Sequence, residues 1–280
     1  MIAVALFAVA LTAAPVRWAP APLSSDGYES SATFTPDGRE IYFMRSDRSF
    51  RQWKILAARC ERGAWSTPHS PSFAATPPGL DADPFVSADG KRLYFVSTRQ
   101  NADGGDQLDI WLTRRDANGA WGEPQRLPEP VNSTASELLP RETADGRLVF
   151  GSDRAGGFGQ GDIYIATPRA DGWTVANAGA PVSSAANEYE AEVSQDGKTL
   201  VVVADRGTRS HLYRYRREGE RWIGQGQVPA DDAVFQVGPL LSPRGDRVLF
   251  AQADGARSGE FFLVDLAENA NASWPPICGK

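Results

Sequence analysis

Two histidines and two cysteines in 280 residues leave little of the usual equipment for nucleophilic or metal chemistry. A hydrolase triad needs a histidine beside its nucleophile. His69 lies in a Pro- and Ser-rich connector, His211 opens an apolar segment, and no Gly-x-Ser-x-Gly elbow is present. Both histidines therefore read as structural or surface residues. A basic stripe is also missing. The net charge is −6, and the densest basic cluster, Arg214, Arg216 and Arg217, alternates with Tyr213 and Tyr215 like a strand with one solvated face. A nucleic-acid surface requires a continuous basic patch, so nucleic acid is not expected as a partner. After residue 20 no apolar i, i+3, i+4, i+7 stripe persists over three turns, which argues against a helical protein.

Calcium and phosphate loops are lacking as well. Asp103-Gly104-Gly105-Asp106 with Asp109 has neither the regular ligand spacing nor the terminal bidentate Glu of a calcium loop. Its glycines do not join a strand to a helix, as a phosphate cradle would. No metal or cofactor is expected. Nor does any apolar run suffice to cross a bilayer. Met1 to Ala14 is apolar apart from Thr12, but fourteen helical residues span about 21 Å against a core of roughly 30 Å. This segment reads as a secretory signal peptide ended by Pro15 and Arg17, with cleavage at Thr12-x-Ala14 or near Ala19-x-Ala21. Residues 1–19 are accordingly read as the leader and 20–280 as one folded domain, periplasmic or secreted. In an exported protein Cys60 and Cys278 would form one disulfide, whereas in a cytosolic one they would be two unrelated thiols.

What the chain does have is a repeat. Asp37-Gly38, Asp89-Gly90, Asp145-Gly146, Asp196-Gly197 and the altered Arg244-Gly245 have glycines 52, 56, 51 and 48 residues apart. Each pair leads into an apolar run, such as Ile41-Tyr42-Phe43, Leu148-Val149-Phe150 or Val248-Leu249-Phe250. Asp-Gly supplies the positive φ that a tight hairpin demands. Four strands per copy follow, the outermost carrying Trp65, Trp121, Trp173 or Trp222. The 20 Pro and 27 Gly suit many short strands joined by turns. A period near fifty with such strands indicates an all-β fold, a single β-propeller of four-stranded blades. Five inner strands predict five blades, with the segment Pro22–Ser25 or the tail around Trp274 closing the ring. Cys60 and Cys278 would then meet across that closure, because the first and last blades are neighbours.

The register extends further. An acid or its amide stands nine residues before each glycine, at Glu29, Asp81, Glu137, Glu188 and Gln236, and a strand-end arginine recurs as Arg48, Arg99, Arg154 and Arg206. Shared offsets place the five residues at one radius and height. They form either a ring at the channel mouth that binds a cation or basic partner, or structural acids paired with those arginines.

The series Asp-Gly, Leu-Tyr-Phe, Ser-Asp-Arg, Gly-x-Gly-x-Asp-Ile-Tyr and Trp resembles the WD40-like PD40 repeat of TolB-like propellers, over roughly residues 20 to 265. The resemblance implies six blades rather than five. It also implies a non-catalytic binding or scaffold protein of the bacterial envelope, monomeric, with a protein or carbohydrate partner. The alternative is a carbohydrate-active propeller enzyme, a glycosidase or lyase, using carboxylates such as Asp81 with Asp83, Glu137, and Glu188 with Glu190. An acid in the channel that breaks the repeat would favour that alternative.

Overall fold

In each repeat the Asp-Gly hairpin rests on one local device. A hydroxyl three residues before the glycine donates to the aspartate: Thr35 to Asp37 and Ser87 to Asp89 at 2.6 Å, Thr143 to Asp145 at 2.5 Å, Ser194 to Asp196 at 2.7 Å. The glycines all hold positive φ, from 65° to 79°, a region open to glycine without steric cost. The fifth copy has Arg244 where the others have Asp. There Ser242 donates to Asp246, on the far side of the glycine, at 2.6 Å. The altered copy thus keeps the same hydroxyl–carboxylate lock.

A computed structural model describes residues 14–99, 105–255 and 257–279. The apolar leader and the Asp103-Gly104 part of the acidic loop lie outside the described residues. Among the described residues the structure is all-β. A short strand β1 (Val16–Arg17) precedes the first repeat, which comprises β2 (Tyr28–Phe34), β3 (Glu40–Ser46), β4 (Lys54–Glu61) and β5 (Ala64–Trp65). The second comprises β6 (Asp81–Val86), β7 (Arg92–Ser97), β8 (Asp109–Arg114) and β9 (Gln125–Arg126). The third holds β10 (Glu137–Glu142), β11 (Leu148–Ser152), β12 (Asp162–Arg169) and β13 (Gly172–Asn177). The fourth holds β14 (Asn187–Val193), β15 (Thr199–Asp205), β16 (Ser210–Glu218) and β17 (Arg221–Gln227). The last has β18 (Gln236–Leu241), β19 (Arg247–Asp254) and β20 (Arg257–Asp265). Each repeat is an antiparallel meander. Second strands such as Ile41-Tyr42-Phe43-Met44 are buried on both faces, since neighbouring sheets cover them front and back.

The last repeat has three strands of its own, and β1 lies antiparallel on β20, with Val16 opposite Leu263 and Arg17 opposite Phe262. Trp18 follows and packs edge-on against Phe34 and Phe261. The N-terminal segment therefore completes the last sheet, but through Val16–Arg17 rather than Pro22–Ser25, and the ordered fold reaches further back than residue 20. The reason is local. Pro22 has no N–H to give to a strand edge, while Leu23 is a fully buried core residue. The Trp274 tail packs into the same apolar cluster without forming a strand. A disulfide joins Cys60 of β4 to Cys278 of that tail.

The innermost strands β2, β6, β10, β14 and β18 touch in that order, and β18 returns to β2. Each carries a β-bulge, between Ser30 and Thr33, Ala82 and Phe85, Leu138 and Arg141, Glu188 and Glu190, or Val237 and Leu240. In four of them the residue seven before the repeat glycine has positive φ: Ser31 at 51°, Asp83 at 53°, Leu139 at 44° and Gly238 at 63°. Bulges re-aim side chains beside sites. Non-glycine residues held in this region cost about 1–3 kcal/mol each and cluster where function constrains the backbone. Gly238 has a further reason: a Cβ there would lie 2.5 Å from the Ser31 backbone nitrogen.

Candidate functional site

The five residues at the shared offset, four acids and Gln236, are all buried. Glu137 is fully buried and accepts from Arg154 at 2.9 Å, from the Ser133 hydroxyl at 2.6 Å and from Ser152 at 3.2 Å. Glu188 accepts from Arg206 at 3.1 Å and from Ser184, hydroxyl at 2.6 Å and backbone N–H at 2.9 Å. Asp81 accepts from Arg99 at 2.9 Å and the Ala75 N–H at 2.6 Å. Gln236 donates to the Asp231 carbonyl at 2.9 Å and accepts from the Leu212 N–H at 3.3 Å. Glu29 pairs with Arg45 at 2.6 Å and with the Ser25 hydroxyl. Its partner is not Arg48, which reaches Asp26 at the surface, because Arg45 stands directly opposite Glu29 in the β2–β3 register.

The arginines lie over aromatic rings of their own sheets: Arg99 over Phe95 at 4.9 Å, Arg154 over Tyr164 at 4.9 Å, Arg206 over Tyr213 at 4.4 Å. Each guanidinium is held by a carboxylate and a π-face together. In this geometry the four carboxylates at the shared offset are each paired with an arginine of their own repeat. Asp109, from the glycine-rich acidic loop, is likewise engaged, by Arg126 at 2.7 Å. Among the described residues no group of His, Cys, Asp and Glu could hold a metal ion.

The chemistry at the axis lies two residues further on. The position seven before each glycine reads Ser31, Asp83, Leu139, Glu190 and Gly238 around the ring. Asp83 accepts from the Ser31 hydroxyl at 2.7 Å and the Leu139 N–H at 3.1 Å, so three repeats meet on one carboxyl group. Glu190 accepts from the Gly238 N–H at 2.6 Å. One layer along, the fully buried Arg141 pairs with Glu192 at 2.5 Å, approaches the Pro140 carbonyl at 3.2 Å and lies over the Phe85 ring at 5.2 Å.

Burial, and then the charge of Asp83, pushes the Glu190 carboxyl up to about 8. Burial also pushes Asp83 up, against the pull of Ser31 and Arg141. Glu192 is raised to about 7 by burial, despite Arg141. Three acids thus lie around one guanidinium in a buried axial cluster. Proton binding offsets part of the excess negative charge at neutral pH.

Asp83 and Glu190 also face a pocket of about 200 Å³, walled by Phe50, Trp53, Tyr189 and Phe235. Tyr28 backs this wall, stacked on Phe235 at 6.1 Å and edge-on to Phe50 at 4.7 Å. The outer faces of Phe50 and Phe235 are exposed. At the other end of the axis, a second hollow lies among Thr33, Phe85, Glu192, Leu240 and the tail residues Trp274 and Pro276.

Sequence reasoning placed Asp83 and Glu190 beside the inner strands but did not single them out from the repeating acids. The signal was there: theirs is a column of the repeat that no two copies fill alike, two residues after a column that every copy fills with an acid or amide.

No known family profile matches the chain, and no curated protein is similar to it. Among solved structures, the chain is similar to TolB from Acinetobacter baumannii, at 19% identity and a TM-score of 0.53, covering 88% of this chain and 56% of that one. It is also similar to prolyl oligopeptidase B from Galerina marginata, at 13% identity and a TM-score of 0.50, covering 88% of this chain and 33% of that one. The chain therefore spans about half and one third of these two structures. At such identities the likeness concerns the fold alone, which is of the propeller type.

Proposed function

We propose that this chain is an exported, five-bladed β-propeller of the bacterial envelope that binds a ligand without transforming it, with the axial pocket as its binding site. The observation that carries this reading is the break in pseudo-symmetry at Asp83 and Glu190. Four structural acids recur in register and are paired, whereas these two occur once each and face a hollow. Groups that only hold the repeat together would be expected in every copy. Five inner strands in cyclic contact, with β1 as the fourth strand of the last sheet, support five blades. The Cys60–Cys278 bond supports an oxidising compartment, and cleavage after Ala14 would leave β1 on the mature chain.

A second reading is a carbohydrate-active enzyme, favoured by the same two carboxyls between aromatic walls. Glycoside hydrolysis divides labour between one protonated and one ionised carboxyl group. Here both acids are pushed the same way, and both Asp83 oxygens already accept hydrogen bonds, which favours binding. The test is a thermal-shift screen of cationic, neutral and anionic small molecules on the wild-type chain and on Phe235→Ala, with turnover of chromogenic glycosides followed in parallel. Saturable stabilisation that the variant loses, without turnover, is expected. Turnover abolished by Glu190→Gln would overturn the non-catalytic reading.

A further inference from the structure

The clefts between neighbouring sheets are not all closed in the same way. Between the first and second sheets, Arg115 pairs with Glu40 across the interface and lies over the Trp121 ring at 4.4 Å. Tyr42 spans the same cleft: its hydroxyl accepts from the Trp121 indole N–H at 2.8 Å and donates to Glu40 at 3.2 Å. Between the second and third sheets the pair runs the other way, from Arg92 to Glu142 at 3.0 Å, and the Tyr94 hydroxyl donates to Glu142 at 3.1 Å. Each of these clefts holds one phenol ring and one carboxylate that answers an arginine of the facing sheet.

Between the third and fourth sheets both are missing. Arg217 stands opposite Trp222 as Arg115 stands opposite Trp121, and their backbone N–H groups bond alike to the carbonyls of Lys198 and Lys91. Val149 stands opposite Arg141, just past the β10 bulge, as Tyr42 stands opposite Thr33, just past the β2 bulge. Two residues earlier, Arg147 takes the place of Glu40. Val193, the last residue of β14, takes the place of Glu142, the last of β10. Arg217 still lies over its tryptophan, at 5.7 Å, and donates to the Gly219 carbonyl at 3.1 Å. Among the described residues, however, no carboxylate pairs with Arg217 and no group accepts from the Trp222 N–H. What remains is a hollow of about 310 Å³, walled by Val149, Ile163, Ile165, Val182 and Leu200 and lined also by Arg217 and Trp222. That volume lies within the range of small-molecule sites.

We propose that this cleft is a second ligand site, independent of the axial pocket, and that it takes a small aromatic carboxylate, whose oxygens meet Arg217 and the Trp222 N–H while its ring lies over Val149. Such a ligand supplies at once the ring and the carboxylate that the other two clefts carry in their own side chains. In the first cleft the two polar groups already lie 3.2 Å apart and share Arg115, so one carboxylate can serve both donors. A carboxylate is acceptor-only and a guanidinium donor-only, and the bond between them is among the strong ones. The acids that also line the hollow do not supply this pairing. Asp145 is held by Arg147 at 2.7 Å and by the Thr143 hydroxyl, and Asp196 accepts from the Ser194 hydroxyl at 2.7 Å and the Lys198 N–H at 3.0 Å. The same hairpin acids, Asp37 and Asp89, flank the first cleft, where the arginine nevertheless takes Glu40. Glu220 lies exposed in the turn between β16 and β17.

Isothermal calorimetry of the folded chain with benzoate, phenol and benzylamine tests this. The expected result is saturable binding of benzoate, with phenol weaker by about tenfold or more and benzylamine silent. Arg217→Gln should weaken benzoate about tenfold or more, and Trp222→Phe, which keeps a ring and removes the N–H, about threefold or more. Val149→Tyr gives this cleft the phenol that Tyr42 gives the first, and should abolish binding without lowering the melting temperature. If that variant does not fold, Arg217→Gln, a change at a half-buried side chain, decides alone. Phe235→Ala, in the axial pocket, should leave benzoate binding unchanged. Phenol or benzylamine binding as tightly as benzoate would overturn the carboxylate assignment. Benzoate binding that survives Arg217→Gln, or that Phe235→Ala removes, would place the ligand elsewhere and overturn the site, as would no binding at all.

Discussion

Replacing Glu190 by glutamine should stabilise the protein, and more so as the pH rises. In the fold this carboxyl titrates near 8, against an ordinary value of 4.5, because it is buried and stands beside Asp83. Between those two values the folded chain holds a proton that the unfolded chain releases, so the group's contribution is most favourable below pH 4.5 and is lost as pH climbs toward 8. A rise of that size corresponds to roughly 5 kcal/mol if nothing relaxes, and water entry or side-chain movement will reduce it. Glutamine keeps an oxygen for the Gly238 N–H and fills nearly the same volume, so little is lost at low pH. The expected difference, variant minus wild type, is near zero at pH 5 and about 1–3 kcal/mol at pH 8.5, or several degrees in Tm for a domain of this size. Glu192 shifts in the same direction but is present in both proteins and cancels. Urea denaturation of both proteins at the two pH values is the assay. A variant that is less stable at both, or a gap that does not widen with pH, would refute the view of Glu190 as a charge held at a cost.

Three further outcomes are expected. Converting Cys60 and Cys278 to serine should lower stability by about 2–4 kcal/mol, since the bond ties β4 to a tail 218 residues away in sequence; an unchanged denaturation midpoint under non-reducing conditions would count against it. Deleting residues 15–18 should lower Tm and promote aggregation, because β20 loses its edge partner and Phe34 and Phe261 lose Trp18, whereas deleting residues 1–13 should not; melts and light scattering of the two truncations compare them. Glu137→Gln should destabilise by about 1–3 kcal/mol, since Arg154 keeps its charge and loses its carboxylate; an unchanged urea midpoint would count against the pairing as a source of stability.

Much of the fold was legible in the chain. Asp-Gly pairs spaced near fifty, each followed by an apolar run, mark hairpins whose glycines do take positive φ, because turn geometry is a local property. The offset between Glu137 and Arg154 was legible too, as both belong to one sheet and one register. Three things were not. Arg45 rather than Arg48 answers Glu29, because the pairing partner depends on strand register rather than on alignment between copies. Asp246 replaces the missing aspartate of the fifth hairpin from the other side of its glycine, a substitution visible only when the atoms are placed. Asp83 and Glu190 stand in different repeats, and the sequence by itself assigns them merely to the same column. Whether that column meets at the axis is decided by the bulge in each innermost strand and by the cyclic packing of those strands. Local spacing thus determined the repeating sheets, while the pair of carboxyls exists only because contact among the innermost strands brings two distant copies into one low-dielectric space.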